Sequence, residues 1–176
     1  TGLFLKATSA VVGASNGDKV GDIEDLVRLY RALASKRALP RHAAQECRDN
    51  AAAMSGELAR AFHSEAARTR NVATLGHAEK LYEVYLDVFR DAPDHAQTQY
   101  YYAELLWARA DAEGDPRRRT ALWEAAANAF TAVVKAGKVA PKLRREAAYA
   151  AVLGWKNRNE VDPELLKQAD RLEDLE

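Results

Sequence analysis

Apolar residues recur every three or four positions along most of the chain, which is the spacing of one face of an α-helix. The clearest stripe runs through a predicted helix near 40–70 and consists of Ala44, Cys47, Ala51, Met54, Leu58, Ala61 and Phe62. A predicted helix near 22–38 carries a second stripe, made of Leu26, Leu29, Tyr30 and Leu33. β-branched residues are too scattered to form strands, so the pattern predicts an all-α fold.

Prolines, glycines and capping residues divide the rest of the chain into further helices. We predict helices at 75–91, with Thr74 as the cap, at 94–112, 116–136 and 141–157, and a short one at 163–175. Asp115-Pro116 and Asp162-Pro163 each place an aspartate cap before a proline in the first turn. Residues 1–20 are predicted to be a loop-like or truncated N-terminal segment, with a helix end at 3–12 and a loop at 13–21. About seven helices therefore form one domain over 21–176.

Part of the pattern repeats after 48 residues. That offset places Pro93 on Pro141, Ala78 on Ala126, Tyr82 on Phe130, Leu86 on Val134, Tyr101 on Tyr149, Ala103 on Ala151, Leu105 on Leu153 and Trp107 on Trp155. Two copies of one helix–turn–helix unit explain the repeat. We predict that the two prolines begin equivalent helices and that Tyr82 and Phe130 are buried. A repeat architecture of this kind favours a binding scaffold over an enzyme.

The repeated units resemble the tetratricopeptide repeat. That family places a small residue four positions before an aromatic one in its second helix, as in Ala78 with Tyr82 and Ala126 with Phe130. Its first helix carries a small contact residue, matched here by Ala103 and Ala151. The resemblance covers about 75–157, with a period longer than the usual ~34 residues. It implies a solenoid of antiparallel helix pairs whose first helices line a concave groove.

The stretch from Ala78 to Phe89 is similar to bacterial cell-envelope members of that family. Those members belong to outer-membrane assembly, to Tol–Pal-associated factors and to myxobacterial gliding machinery. A proline directly follows the phenylalanine there, whereas Arg90 stands in that place here. The likeness implies a periplasmic, cell-envelope location, and a cytoplasmic location stays open. Because the chain opens with Thr1, we expect a fragment or processed product, from which any signal peptide or lipid anchor would be missing.

The resemblance also assigns the groove-facing side chains. With Ala103 and Ala151 as contact positions, they are Tyr100, Glu104, Trp107, Arg145, Trp155 and Lys156. Aromatic walls with charges of both signs suit a protein or peptide partner of mixed polarity. We therefore expect a non-catalytic scaffold for protein–protein interaction. The alternative is a purely architectural subunit of a larger complex, with no ligand in the groove.

Charge narrows the classes of partner. Lys+Arg and Asp+Glu number 26 each, so the chain lacks the basic excess of nucleic-acid binders, and no nucleic-acid partner is expected. No apolar run is long enough to span a bilayer. Two basic clusters, at 117–119 and 142–145, are interpreted as solvated faces, with an acidic partner or an anionic lipid as the alternative.

Few residues are arranged for catalysis or metal binding. None of the four histidines, His42, His63, His77 and His95, has the spacing of a zinc site. Cys47 lies on an apolar stripe and is expected to be buried and protonated. No glycine-rich phosphate loop is present. We therefore expect no enzyme activity, no cofactor and no metal, while the partner's identity and the oligomeric state stay open.

Overall fold

The computed structural model describes residues 15–36, 39–137 and 139–160. Over these residues the chain forms six helices: α1 Asn16–Ser35, α2 Arg41–Thr69, α3 Val72–Val88, α4 His95–Ala112, α5 Pro116–Lys135 and α6 Pro141–Glu160. The all-α fold predicted from the periodicity is confirmed. None of these helices is long and apolar enough to cross a membrane. The elements predicted at 3–12 and 163–175, and the cap at Asp162, lie outside the described residues.

Helix contacts divide the chain into two compact units, one ending at Ala92 and the other beginning at Pro93. The division predicted from the sequence, into a segment over 1–20 and one helical domain over 21–176, stays a prediction. In the first unit α2 packs along α3, and α1 contacts both. In the second unit α5 lies between α4 and α6, which contact each other little. Short connections make successive helices of this unit antiparallel neighbours.

The start of α1 differs from the prediction, because residues 16–21 are helical and not part of a loop. The Ser15 hydroxyl accepts a hydrogen bond from the Asp18 N–H at 3.3 Å, and the Ser15 N–H donates to the Asp18 carboxylate at 3.2 Å. This capping box, together with the burial of Val20 and Ile23, outweighs the roughly 1 kcal/mol that a glycine costs inside a helix. The predicted loop over 13–21 is therefore wrong for its helical part.

The cap of α3 is Asn71 and not Thr74. The Asn71 side chain accepts a hydrogen bond from the Thr74 N–H at 3.1 Å, and Thr74 itself is buried inside the helix. Just before it, Arg70 has a left-handed backbone with φ of 55°, a conformation common where a helix ends and the chain reverses. Asparagine and threonine are both good caps, so the residue type alone did not separate the two positions.

The two aromatic residues of the repeat are buried, as predicted. Tyr82 and Phe130 have 0% and 2% of their surface exposed. Tyr82 lies edge-on to His63 of α2, with ring centroids 6.0 Å apart. Phe130 lies edge-on to Tyr100 of α4 at 5.4 Å. Each ring therefore fills the contact between its own helix and the helix before it.

Neither proline of the repeat interrupts a helix. Pro141 is the first residue of α6, as predicted. Pro93 lies in a turn, and α4 begins later, at His95. The prediction that both prolines begin helices is therefore right for Pro141 and wrong in detail for Pro93.

The apolar stripes are largely confirmed. In α2, Cys47, Ala51 and Phe62 are buried, whereas Ala61 is exposed. In α1 the exposed fraction of Leu29 is 44%, and the buried face consists of Val20, Ile23, Leu26 and Val27. The stripe predicted for α1 therefore included Leu29, which lies on the exposed side of the helix.

The burial of His63 predicts that the first unit loses stability in acid. Its Nδ1 lies 3.4 Å from the Tyr82 hydroxyl, and burial lowers its pKa. Because the folded protein binds this proton less readily than the unfolded chain, the unit keeps its full stability above the unfolded pKa of about 6.5. That stability falls as the pH drops through this value. We expect Tm to fall less between about pH 7.5 and 5.5 in His63→Phe than in the wild type.

The matched control for this measurement is His42→Phe, since His42 is exposed near the start of α2. Its Tm should depend on pH as that of the wild type does. Equal pH dependence of His63→Phe and the wild type would show that His63 is not the acid-sensitive group.

Candidate functional site

The six predicted groove residues all lie in the second unit, three on α4 and three on α6. The structure does not gather them on one surface. Glu104 and Tyr100 of α4 are close enough to Glu146 of α6 for its charge to shift their pKa values. Glu146 and Trp155 are nine positions apart, and at about 100° per residue they lie on opposite sides of α6. Trp155 therefore faces away from the side that meets Tyr100 and Glu104.

Tyr100, Glu104 and Glu146 form a polar cluster between α4 and α6. The Tyr100 hydroxyl donates a hydrogen bond to the Glu104 carboxylate. Burial is the main cause that raises the pKa of the Glu104 carboxyl. The hydrogen bond from Tyr100 lowers that pKa, and the negative charge of Glu146 raises it. Burial is also the main cause that raises the pKa of the Tyr100 hydroxyl. The negative charges of Glu104 and Glu146 raise it further. The part of the second unit that carries Tyr100, Glu104 and Glu146 is therefore acidic.

Trp107 belongs to the contact between α4 and α5. Its ring meets Trp123 edge-on, with centroids 4.7 Å apart and planes at 86°, and lies 6.3 Å from Phe130. Trp107 is half-buried and Trp123 is only 5% exposed. The two tryptophans that the repeat aligns thus have different surroundings, because Trp155 is exposed.

A separate exposed surface with an apolar centre lies on α6, and we call it the α6 outer face. It is defined by five residues at steps of three and four along the helix, with Trp155 beside them: Lys142, Arg145, Tyr149, Val152 and Lys156. Tyr149 is 69% exposed, Val152 67% and Trp155 37%. Only two other large apolar side chains in the described part of the chain are exposed, Leu29 and Val72. Exposed apolar surface is therefore concentrated here.

Cations flank the apolar centre of the α6 outer face. Lys142 pairs with Glu146 at 3.9 Å, and Lys156 pairs with Glu160 at 3.5 Å. Both pairs are exposed and of the kind that contributes little to stability. Arg145 is exposed and makes no ion pair or hydrogen bond with any residue described in the structure. It is the cation of this face that is open to an incoming carboxylate.

Trp155 is held at the edge of the face by its neighbours. The Arg158 guanidinium lies over its ring at 5.8 Å, and the same guanidinium donates to the Glu124 carboxylate of α5 at 3.0 Å. A side chain that is already restrained loses less conformational entropy when a partner binds.

The two predicted basic clusters have partly structural roles. Arg119 donates to the Glu113 carbonyl at 2.6 Å, ahead of the first turn of α5. Arg144 donates to the Ala136 carbonyl at 3.1 Å, at the end of α5. Within the 142–145 cluster, Arg144 is occupied by backbone carbonyls and Lys142 by Glu146, so Arg145 is the member best placed for a partner.

Neither a metal-binding cluster nor an exposed cysteine occurs in the described residues. Within 15–36, 39–137 and 139–160, no three His, Cys, Asp or Glu side chains could hold a metal ion together. Burial raises the pKa of the Cys47 thiol, which is 7% exposed, as predicted. A buried, protonated thiol is a poor nucleophile.

Sequence reasoning missed Tyr149 and Val152 as surface residues. The signal was present, because α6 carries two apolar faces, one of small residues at Ala147, Ala151 and Gly154 and one containing the missed pair. The small face is buried in the structure. Two apolar faces on one helix indicate that one packs internally and the other needs a second partner.

Comparisons with known proteins give no relative from which a function could be carried over. No protein-family model matches the chain, and neither a curated protein nor a solved structure matches it. The resemblance to the tetratricopeptide repeat therefore rests on its residue pattern alone.

Proposed function

We propose that this chain is a non-catalytic scaffold that binds a segment of a partner protein on the α6 outer face. The observation that carries the proposal is the exposure of Tyr149 and Val152, at 69% and 67%, on a helix whose opposite side is closely packed. Adjacent exposed apolar side chains, one of them aromatic, are typical of interface centres.

The back of α6 gives this surface a rigid support. Ala147, Ala151 and Gly154 are buried toward α5, and a Cβ built on Gly154 would lie 3.1 Å from the Ala127 Cβ. Arg158 adds the ion pair to Glu124. A preorganised helix loses little freedom on association, so more of the contact energy appears as affinity.

The tetratricopeptide-like pairing of helices is part of the proposal. Ala126 and Phe130, four positions apart in α5, are both buried, and Ala103 and Ala151 are buried on the flanking helices. Small and aromatic residues at these positions are what closely stacked helix pairs require. The cell-envelope location follows from the resemblance alone and stays a prediction.

The proposed site keeps half of the residues predicted from the sequence. Arg145, Trp155 and Lys156 lie on or beside the α6 outer face. Trp107 instead packs against α5, and Tyr100 belongs to the polar cluster between α4 and α6. The proposed partner surface is therefore one helix face, whereas the sequence predicted a groove across two helices.

Serine at both Tyr149 and Val152 should weaken binding strongly without unfolding the protein. These side chains have little buried area to lose, but an interface centred on them loses its apolar anchors. We expect the partner recovered from the source cells to fall at least ~10-fold, measured by quantitative mass spectrometry after capture with the purified chain.

The matched control is Val72→Ser, because Val72 is 77% exposed at the start of α3, in the other unit. It should recover the partner as the wild type does. Equal recovery by the double variant and the control, with unchanged circular dichroism, would rule out the α6 outer face as the binding surface and leave the architectural role.

A further inference from the structure

We infer that the partner segment is acidic and amphipathic; this inference rests on the proposed function and specifies its ligand. The chain as a whole has no net charge. The α6 outer face, however, carries three cations, Lys142, Arg145 and Lys156, and only two carboxylates beside them, Glu146 and Glu160. The proposed binding helix is thus locally basic in a neutral chain.

The order of residues along the face specifies the order of groups in the partner. Lys142 and Arg145 lie at one end, Lys156 lies at the other, and Tyr149 and Val152 lie between them. The stripe from Lys142 to Lys156 is about 21 Å long at ~1.5 Å per residue. A helix of about 15 residues, with apolar residues at its centre and carboxylates at both ends, matches it.

The Arg145 guanidinium determines which sign of charge the partner segment carries. An incoming carboxylate can pair with it without displacing an existing partner, since Arg145 contacts no carboxylate among the described residues. A basic segment would bring a like charge to the same point, which disfavours binding. A nucleic-acid backbone or a lipid headgroup could supply the anion, but the exposed Tyr149 and Val152 also require apolar contact. A polypeptide with both kinds of side chain satisfies the whole surface.

The test uses two synthetic helical peptides of about 15 residues. Both have the same leucine stripe, and the flanking charges are glutamates in one and lysines in the other. Binding to the full chain is measured by fluorescence anisotropy of the labelled peptide. We expect the glutamate peptide to bind at least ~10-fold more tightly than the lysine peptide, and its affinity to fall with added salt.

Charge reversal provides the specific variant. Arg145→Glu combined with Lys156→Glu should invert the preference, so that the lysine peptide binds the variant more tightly than the glutamate peptide does. The control is Arg28→Glu combined with Lys80→Glu, which changes exposed cations of the first unit. Its net charge equals that of the charge-reversed α6 variant. It should keep the wild-type preference. No saturable binding of the glutamate peptide, or equal binding of both peptides, overturns the inference.

Crosslinking in the full chain identifies the occupant. A photoreactive benzoylphenylalanine in place of Val152 should crosslink to the glutamate peptide. Residues 161–176 of the chain are themselves rich in acidic residues and leucine, so they are the natural competitor. If crosslinks form to that segment, or to a second copy of the chain, and not to the peptide, the inference that the ligand is a separate partner is overturned.

The two proposals fail separately. If capture from cells depends on Tyr149 and Val152 but not on Arg145 and Lys156, the binding surface stands and the acidic ligand is wrong. If capture does not depend on Tyr149 and Val152, the proposed function fails whichever peptide binds better.

Discussion

Replacing either buried aromatic of the repeat with alanine is expected to lower the free energy of unfolding by about 3–5 kcal/mol. Tyr82 is fully buried beside His63, and Phe130 is 2% exposed between Tyr100 and Trp107. Removing either ring loses its apolar burial and leaves a cavity between two helices. Urea unfolding followed by circular dichroism measures the loss.

Hydrogen exchange with mass spectrometry localises each effect. Tyr82→Ala should speed exchange in α2 and α3, and Phe130→Ala should do so in α4 to α6. The control is Tyr149→Ala, which removes a ring that is 69% exposed and should change the free energy by less than about 0.5 kcal/mol. A loss below about 1 kcal/mol in Tyr82→Ala or Phe130→Ala would be incompatible with their burial.

Most of the helices could be predicted because their signals are local. The start of α5 follows from Asp115 and Pro116, and the structure confirms the cap, with the Asp115 carboxylate accepting from the Arg118 N–H at 2.8 Å. The long stripe of α2 is periodic enough to identify the helix despite Gly56. Where local signals conflict, as at Gly17 and Gly21 of α1, burial of one face decides the outcome. That burial depends on residues far away in the sequence.

The candidate site was harder to predict, because the hydrophobicity of α6 alone favours the wrong face. Tyr149 and Val152 are larger than Ala147 and Ala151 and have more apolar surface to bury, yet the alanine face is the one that packs on α5. Close approach of two helices requires small side chains, and the choice therefore depends on the shape of α5. The repeat alignment did assign Ala151 to the buried contact. It could not show that Trp107 and Trp155, at matched positions, differ in burial.

Substituting Gly154 with leucine is expected to destabilise the second unit by about 3 kcal/mol or more. An ideal Cβ at this position lies 3.1 Å from the Ala127 Cβ and 3.3 Å from its Cα. The obstructing atoms belong to the backbone of α5 and its first side-chain carbon, so no flexible side chain can move aside. Leucine must therefore push α5 and α6 apart, which disrupts the contact around Ala151. Urea unfolding and hydrogen exchange in α5 and α6 measure the effect.

Alanine separates the steric effect from helix propensity. Gly154→Ala gains about 1 kcal/mol of helix propensity but loses about 1–3 kcal/mol to the close contact, so we expect a net loss. Gly21→Ala is the matched control in α1, because its Cβ would meet nothing within 4 Å, and it should stabilise the protein by about 0.5–1 kcal/mol. The opposite signs follow from packing alone, since both glycines lie inside helices. If Gly154→Ala stabilises the protein as Gly21→Ala does, α5 and α6 are farther apart than described, and the rigid support of the α6 outer face is lost with that contact.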